Sequence, residues 1–565
     1  MTHLSRRELL VGASAAGAWI GCSRGKDDPA RPGGGAGEPH APAVGMVASS
    51  QRVATEAGLS ILRAGGNAAD AAIATAAALN VSEPTSTGLG GDCFALYFDA
   101  KTRAVTALNG SGRAPAALTL DLLREQQLAQ LPPFHAHTIT VPGACAGWVD
   151  LIARHGSLPM SRILEPAIRL AEDGFPVGEI TAHFWARGLE RQRGAANFGE
   201  LSIDGRAPRA GETFRNPGLA RTLRALAAGG ADAYYRGEIA AAIVRVVRES
   251  GGAMTAADLA AHTSTWDEPI STTYRGARVW ECPPNGQGIT ALLALNVLEG
   301  FELRGQDPLG ADRAHLLVEA LRVAFADTRW YVADPRVTKV PVAELLSKDY
   351  AARRRPLVDP KRAAADLTHG APVAGTDTVY FCTVDGRGNA CSFINSNFMG
   401  FGTGIVPAGW GFTLQNRGLG FSLDPRHPNA LAPKKRPYHT IIPGMITRAD
   451  GSLYAPFGVM GGFMQPQGHV QVVVGLFDDG IAPQAVLDRP RFCIEPVDGA
   501  VRVSLEAGLP ATTAAELRAR GHDIVADVGG YERSLFGRGQ IIVRDPDGRL
   551  TGASDPRADG EVRAT

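Results

Sequence analysis

The sequence has no excess of charge of either sign: 57 lysines and arginines stand against 57 aspartates and glutamates. That balance excludes the broad basic surface expected of a nucleic-acid partner. No repeat period runs along the chain, which argues against a solenoid or propeller. Cysteine is sparse, with seven in 565 residues. Metal ligands are sparse too: His135-Ala136-His137 could set two imidazoles on one side of a strand, but a metal needs further ligands, and Thr138-Ile139-Thr140 simply reads as strand. The run Pro32-Gly33-Gly34-Gly35-Ala36-Gly37 lacks a preceding strand and a following helix, so it reads as linker and not as a dinucleotide loop. Neither a metal nor a cofactor is expected.

What the chain does have is glycine, 68 residues, well above the usual share of about 7%. A length prior suggests roughly three or four domains, although one large core is allowed.

The most informative stretch is Gly375 to Ala390. Residues 378 to 384 are β-branched, aromatic or Cys throughout, as in a strand covered on both faces. Asp385 to Asn389 supplies turn residues, and Ala390 to Ile394 forms a second apolar run leading into Asn395-Ser396-Asn397. Pairing Val384 with Ala390 sets a register in which Thr378 faces Ser396, unless a bulge intervenes. The same register turns Cys382 and Cys391 to opposite faces. With Cys93, Cys145, Cys282 and Cys493 they are expected to be buried free thiols.

An internal threonine brings no base to activate its hydroxyl. A free α-amino group, titrating near ~7.7 to 8.0, would be such a base. Cleavage before Thr378 would therefore create nucleophile and base in one residue.

This run resembles the γ-glutamyltranspeptidase family of N-terminal-nucleophile hydrolases, closest to its γ-glutamyltransferase-like subgroup. The resemblance extends over Gly65-Gly66-Asn67-Ala68-Ala69-Asp70, Gly88-Leu89-Gly90-Gly91-Asp92, Phe401-Gly402-Thr403-Gly404, Lys435-Arg436-Pro437, Gly461-Gly462 and Gly552-Ala553-Ser554-Asp555-Pro556-Arg557. It covers the chain from about residue 44 onward. It implies an α+β fold, a four-layer αββα sandwich, made from a proenzyme that cuts itself at Asp377-Thr378. The large segment would be 44–377 and the small one 378–565, both in one catalytic core. Thr378 would then form an acyl-enzyme from a γ-glutamyl or related small amide and pass it to water or an amine.

The catalytic candidates are Thr378, Ser396, Gly461 and Gly462. Two glycines before a helix starting near Pro466 let backbone N–H groups approach a developing oxyanion. The substrate-binding candidates are Arg113, Asn397, Arg417, His439 and Thr440. Here the chain departs from glutathione-cleaving members, which hold the substrate's α-amino group with a Gln and an Asp where this chain has Arg417 and Gly420. Neither can accept from an ammonium group. His439-Thr440 replaces a serine pair, and Arg113 is the best carboxylate clamp by bidentate geometry. The segment Phe421 to Arg436 is short for a long lid. Three functions stay open: a γ-glutamyl hydrolase or transpeptidase, an amidohydrolase or acylase on a small carboxylate amide without an α-amino group, and an unprocessed binding protein.

At the N-terminus, Ser5-Arg6-Arg7-Glu8-Leu9-Leu10 and the apolar run Val11 to Gly21 resemble a twin-arginine signal, too short to span a membrane. Export is expected, to the periplasm or to a membrane surface. Trp19-Ile20-Gly21-Cys22 resembles a lipoprotein box, in which Cys22 would carry a lipid and 22–43 would be a flexible linker. Helical patterns are read at 51–64, 67–79 with Asn67 as N-cap, 143–155, 161–173, 217–227, 237–249, 313–327 and 513–519, with strands at 94–98 and 105–108.

Overall fold

Two antiparallel sheets carry the site in a computed structural model, which describes residues 45–365, 367, 377–497 and 500–565. Their strands, in chain order, begin with β1 (Gly45–Ser49), β2 (Asp92–Asp99), β3 (Ala104–Gly110), β4 (Thr265–Asp267), β5 (Ile270–Tyr274) and β6 (Ala277–Glu281). They continue with β7 (Asp377–Asp385), β8 (Ala390–Phe398), β9 (Gly444–Thr447), β10 (Leu453–Met460), β11 (Arg538–Arg544), β12 (Leu550–Ser554) and β13 (Glu561–Ala564). The first sheet runs β13-β1-β7-β8-β2-β3-β4 and the second β12-β11-β10-β9-β6-β5. A smaller three-stranded sheet is formed by Phe492–Val497, Ala500–Glu506 and Asp523–Val528.

The hairpin β7–β8 lies at the centre of the first sheet, which is why residues 378 to 385 are all buried. Its turn closes through Asp385 N–H to the Asn389 carbonyl, 3.0 Å, with Gly388 at φ +86°. The sheets touch at this hairpin. Tyr380 N–H donates to Met460 Sδ at 3.2 Å, and Ser392 Oγ donates to the Phe457 carbonyl at 3.4 Å.

Helices cover the sheets. Ala68–Ser82 is buried along its whole length, and Thr383 on β7 donates to its Ala68 carbonyl at 2.7 Å. The expected Asn67 cap is present as a capping box with Asp70. Met464–Phe477 packs on β10, where Gly468 leaves room for Val459. Apolar side chains gather in two large clusters, one around the first sheet and one around the second.

The expected helices are found within a few residues of their predicted ends, except that 217–227 continues to Tyr235 across a kink at Gly230. Gly288–Leu298 was not legible: it is apolar all round and entirely buried, so it shows no amphipathic period. The strand reading of Thr138-Ile139-Thr140 is corrected. His137 sits in the middle of a single 3₁₀ turn at Ala136–Thr138, capped by the His135 ring accepting from His137 N–H. The six cysteines from Cys93 onward are buried free thiols. The twin-arginine segment, the linker and Cys22 lie outside the described residues. Among the described residues no helix is long and apolar enough to cross a membrane.

Candidate active site

The hairpin register holds as read from Ala390↔Val384 through Asn395↔Val379, then shifts by one before Phe398↔Asp377. The irregularity is local, with Phe398 at φ +80°. It does not separate the two hydroxyls. Thr378 Oγ1 and Ser396 Oγ lie 3.1 Å apart, both buried.

Arg417 completes this side of the site. Its Nη2 donates to Ser396 Oγ at 3.0 Å, its Nη1 to Thr440 Oγ1 at 2.8 Å, and its guanidinium lies 4.4 Å over the Phe398 ring. The side chain is 0% exposed, and among the described residues it forms no ion pair and its Nε has no acceptor. Burial pushes the guanidinium down to about 9, a shift that the Asp92 charge opposes. From sequence Arg417 was expected to face substrate; instead two of its nitrogens are committed to the hydroxyls behind Thr378.

Asp92 was not singled out as a site residue, yet it organises the other side. It stands opposite Ser396 in the β2–β8 ladder. Its Oδ1 accepts from Gly112 N–H (2.9 Å), Gly143 N–H (3.1 Å) and Gln415 Nε2 (3.0 Å), and its Oδ2 from His439 Nε2 (3.0 Å). Burial works to raise its pKa, but the His439 hydrogen bond, the Arg417 charge and the Gln415 amide outweigh that and hold the carboxyl below its usual range. His439 Nδ1 accepts from Ile441 N–H at 3.3 Å, which leaves the hydrogen on Nε2, facing Asp92. Burial and the Arg417 charge push this imidazole down to about 3, so it is neutral. The one visible signal for Asp92 was a carboxylate opening the otherwise apolar strand Asp-Cys-Phe-Ala-Leu-Tyr-Phe.

Gly461 and Gly462 follow β10 at φ +140° and +57°, conformations that side chains resist, and lead into the helix starting at Met464, two residues earlier than read. Among the described residues nothing accepts a hydrogen bond from either N–H. Gln287, also missed from sequence, ties them to the rest: its Nε2 donates to the Thr440 carbonyl at 2.7 Å and the Gly462 carbonyl at 2.9 Å. One chain of contacts therefore runs from Thr378 through Ser396, Arg417, Thr440 and Gln287 to Gly462.

Asn397 donates to Thr413 Oγ1 at 3.1 Å, while its buried Oδ1 has no partner among the described residues. Arg113 is placed differently from the others. Its guanidinium donates to the Thr263 carbonyl at 3.1 Å, and its connection to the centre is indirect, through the neighbouring Gly112 N–H on Asp92. The Phe421 to Arg436 segment folds back on itself and packs Phe421 and Leu431 against Leu118 and Leu123.

Comparison with known proteins converges on one family. The family model "Gamma-glutamyltranspeptidase" matches residues 54–565. The glutathione hydrolase-like YwrD proenzyme of Bacillus subtilis is 37% identical over 521 residues, covering 91% of this chain and 97% of that protein. The oxamate amidohydrolase proenzyme of Klebsiella pneumoniae is 36% identical over 529 residues, covering 91% and 97%. In structure, the cephalosporin acylase from Bacillus halodurans superposes with a TM-score of 0.86 at 46% identity, covering 95% of this chain and 98% of that one.

Proposed function

The chain belongs to the gamma-glutamyltranspeptidase family of self-processing amide hydrolases and transferases, and we propose that Thr378, freed by cleavage at Asp377-Thr378, is its nucleophile. The observation that carries this is the buried Thr378–Ser396 hydroxyl pair, 3.1 Å apart at the end of the central hairpin. In the intact chain the Thr378 hydroxyl attacks the Asp377 carbonyl carbon, the peptide C–N bond breaks to free the α-amino group and leave an ester on Thr378 Oγ1, and water then hydrolyses that ester to the Asp377 carboxylate and the free hydroxyl. That amine then takes the hydroxyl proton as Thr378 attacks the substrate amide, and returns it to the leaving amine. Water or an amine resolves the acyl-enzyme. Gly461 and Gly462 offer two N–H groups to the oxyanion, each worth about 2.7 to 4 kcal/mol of barrier where such donors have been removed.

The substrate we assign is a small acyl amide without an α-ammonium group. The carboxylate beside the nucleophile, Asp92, already accepts from four donors, and His439 is neutral. An α-ammonium would meet the buried Arg417 charge, and the unpartnered acceptor among the candidate residues, Asn397 Oδ1, is a neutral amide oxygen and not a carboxylate. Relatives named for oxamate and cephalosporin fit that chemistry. The γ-glutamyl reading is favoured instead by the glutathione hydrolase-like relative. We further assign the αββα layering, supported by the hairpin contacts between sheets and the helices outside them, and export through the twin-arginine segment, supported by sequence alone.

Intact mass and turnover test the proposal. The wild type should yield a fragment starting at Thr378, whereas Thr378→Ala should remain one inactive chain; an active Thr378→Ala would sink the nucleophile assignment. Anilides of simple acids should turn over at least as well as a γ-glutamyl anilide. Turnover of the γ-glutamyl compound alone would overturn the substrate assignment.

A further inference from the structure

A small cleft outside the candidate active site opens between the helices Ala311–Tyr331, Met464–Phe477 and Pro483–Asp488. Arg313, Arg489 and Arg491 line it, and none of its lining residues is acidic. Asp479 pairs with Arg313 Nη1 at 3.0 Å and Arg489 Nη1 at 2.5 Å, while Asp555 pairs with Arg491 Nη2 at 2.8 Å and Arg557 Nη1 at 2.9 Å. Three arginines thus share two carboxylates, one of which also serves a fourth. The Arg489 side chain is 21% exposed, against 2% for Arg313 and for Arg491. Among the described residues its Nε and Nη2 have no acceptor, since Nη1 alone meets Asp479. Nε and Nη2 form one edge of a guanidinium, the edge that grips a carboxylate through two parallel N–H bonds. Most of the remaining wall is apolar, with Leu317, Val474, Val486, Phe492 and Leu509. Gln471 offers little, because its Oε1 accepts from Phe492 N–H at 3.2 Å and its Nε2 donates to the Gln467 and Phe492 carbonyls at 3.1 and 3.2 Å.

We propose that this cleft is a second binding site, for a small organic carboxylate: the open edge of Arg489 holds the carboxyl group, and a short hydrocarbon chain lies on the apolar side chains. Each half of the ligand is needed. An inorganic anion would use the Arg489 edge and leave the apolar wall wet, whereas a neutral amide would cover the wall but set its NH₂ against a donor. The site does not depend on Thr378 being the nucleophile, although hydrolysis of an acyl amide releases a molecule of this class.

Titration calorimetry on the whole enzyme tests this, with hexanoate as the probe and hexanamide and inorganic phosphate beside it. Hexanoate is expected to bind with a Kd of about 1 mM or tighter. Hexanamide and phosphate should each bind at least about tenfold more weakly, and Arg489→Met should weaken hexanoate by about tenfold or more. The kcat of Arg489→Met on an anilide should equal that of the wild type. Leu509→Glu, which leaves all three arginines and sets a carboxylate in the cleft, should also abolish hexanoate binding; it decides the matter if Arg489→Met, having lost its pair with Asp479, does not fold. Hexanoate binding that survives in the folded variants belongs to the active site and would overturn the proposal. So would phosphate binding as tight as hexanoate, or no hexanoate binding by about 10 mM. Activity in Thr378→Ala would remove the nucleophile assignment and leave this site standing.

Discussion

Two of the buried carboxylate–imidazole pairs among the described residues have their carboxyls shifted in opposite directions. Asp92–His439, at the site, spans 3.0 Å; Glu281–His469, in the second core, spans 2.7 Å. Asp92 also receives two backbone N–H groups and the Gln415 amide, and is held below the usual carboxylate range. Among the described residues Glu281 Oε2 and His469 Nε2 have no hydrogen-bond partners, and burial pushes Glu281 above that range. The His439 bond, joined by the Arg417 charge and the Gln415 amide, outweighs burial at Asp92, whereas His469 alone does not outweigh it at Glu281. A buried carboxylate is held low where several donors and a nearby cation solvate it, and is pushed up where one ring nitrogen does not offset its burial. The pair beside the Thr378–Ser396 hydroxyls is thus built to keep a negative charge opposite Arg417.

Asp92→Asn should break that contrast most severely. It removes the charge and sets an amide against four donors, which is expected to cost roughly 3 to 5 kcal/mol of stability and to abolish turnover; urea unfolding and an anilide assay measure both. Acid should act next. As pH falls below about 6.5, unfolded His439 takes up a proton that the folded ring refuses until about 3. The unfolded chain binds more protons in that window, so stability should fall steadily across it, with Asp92 adding its share as its own lowered value is reached. Melting temperatures between pH 7 and 4 would show this decline. Glu281 works in the other direction: its raised folded value stabilises below the unfolded pKa and is lost as pH rises through the folded one. Glu281→Gln should therefore change stability by under about 1 kcal/mol and leave activity intact. A loss as large as that of Asp92→Asn would show the pairs to be equivalent.

The β7–β8 register was legible because side-chain alternation and a five-residue turn determine it locally, and the Thr378–Ser396 pair followed. The bulge before Phe398 was not legible, since it depends on how Arg417 and the Phe398 ring pack. The Gly461-Gly462 turn was readable from glycine's tolerance of positive φ. Helix Gly288–Leu298 was missed because burial on every side erases the amphipathic period. Arg417 was found, but its direction was not, because a sequence places a guanidinium without saying which hydroxyls it meets.

By itself the sequence determined the hairpin, its turn, the capped helix at Asn67 and the place of Thr378 at a strand end, all set by contacts a few residues apart. Tertiary structure alone decided the charge state of the site. The donors to Asp92 come from positions 20, 51, 323 and 347 residues away, and only folding brings them to one carboxylate.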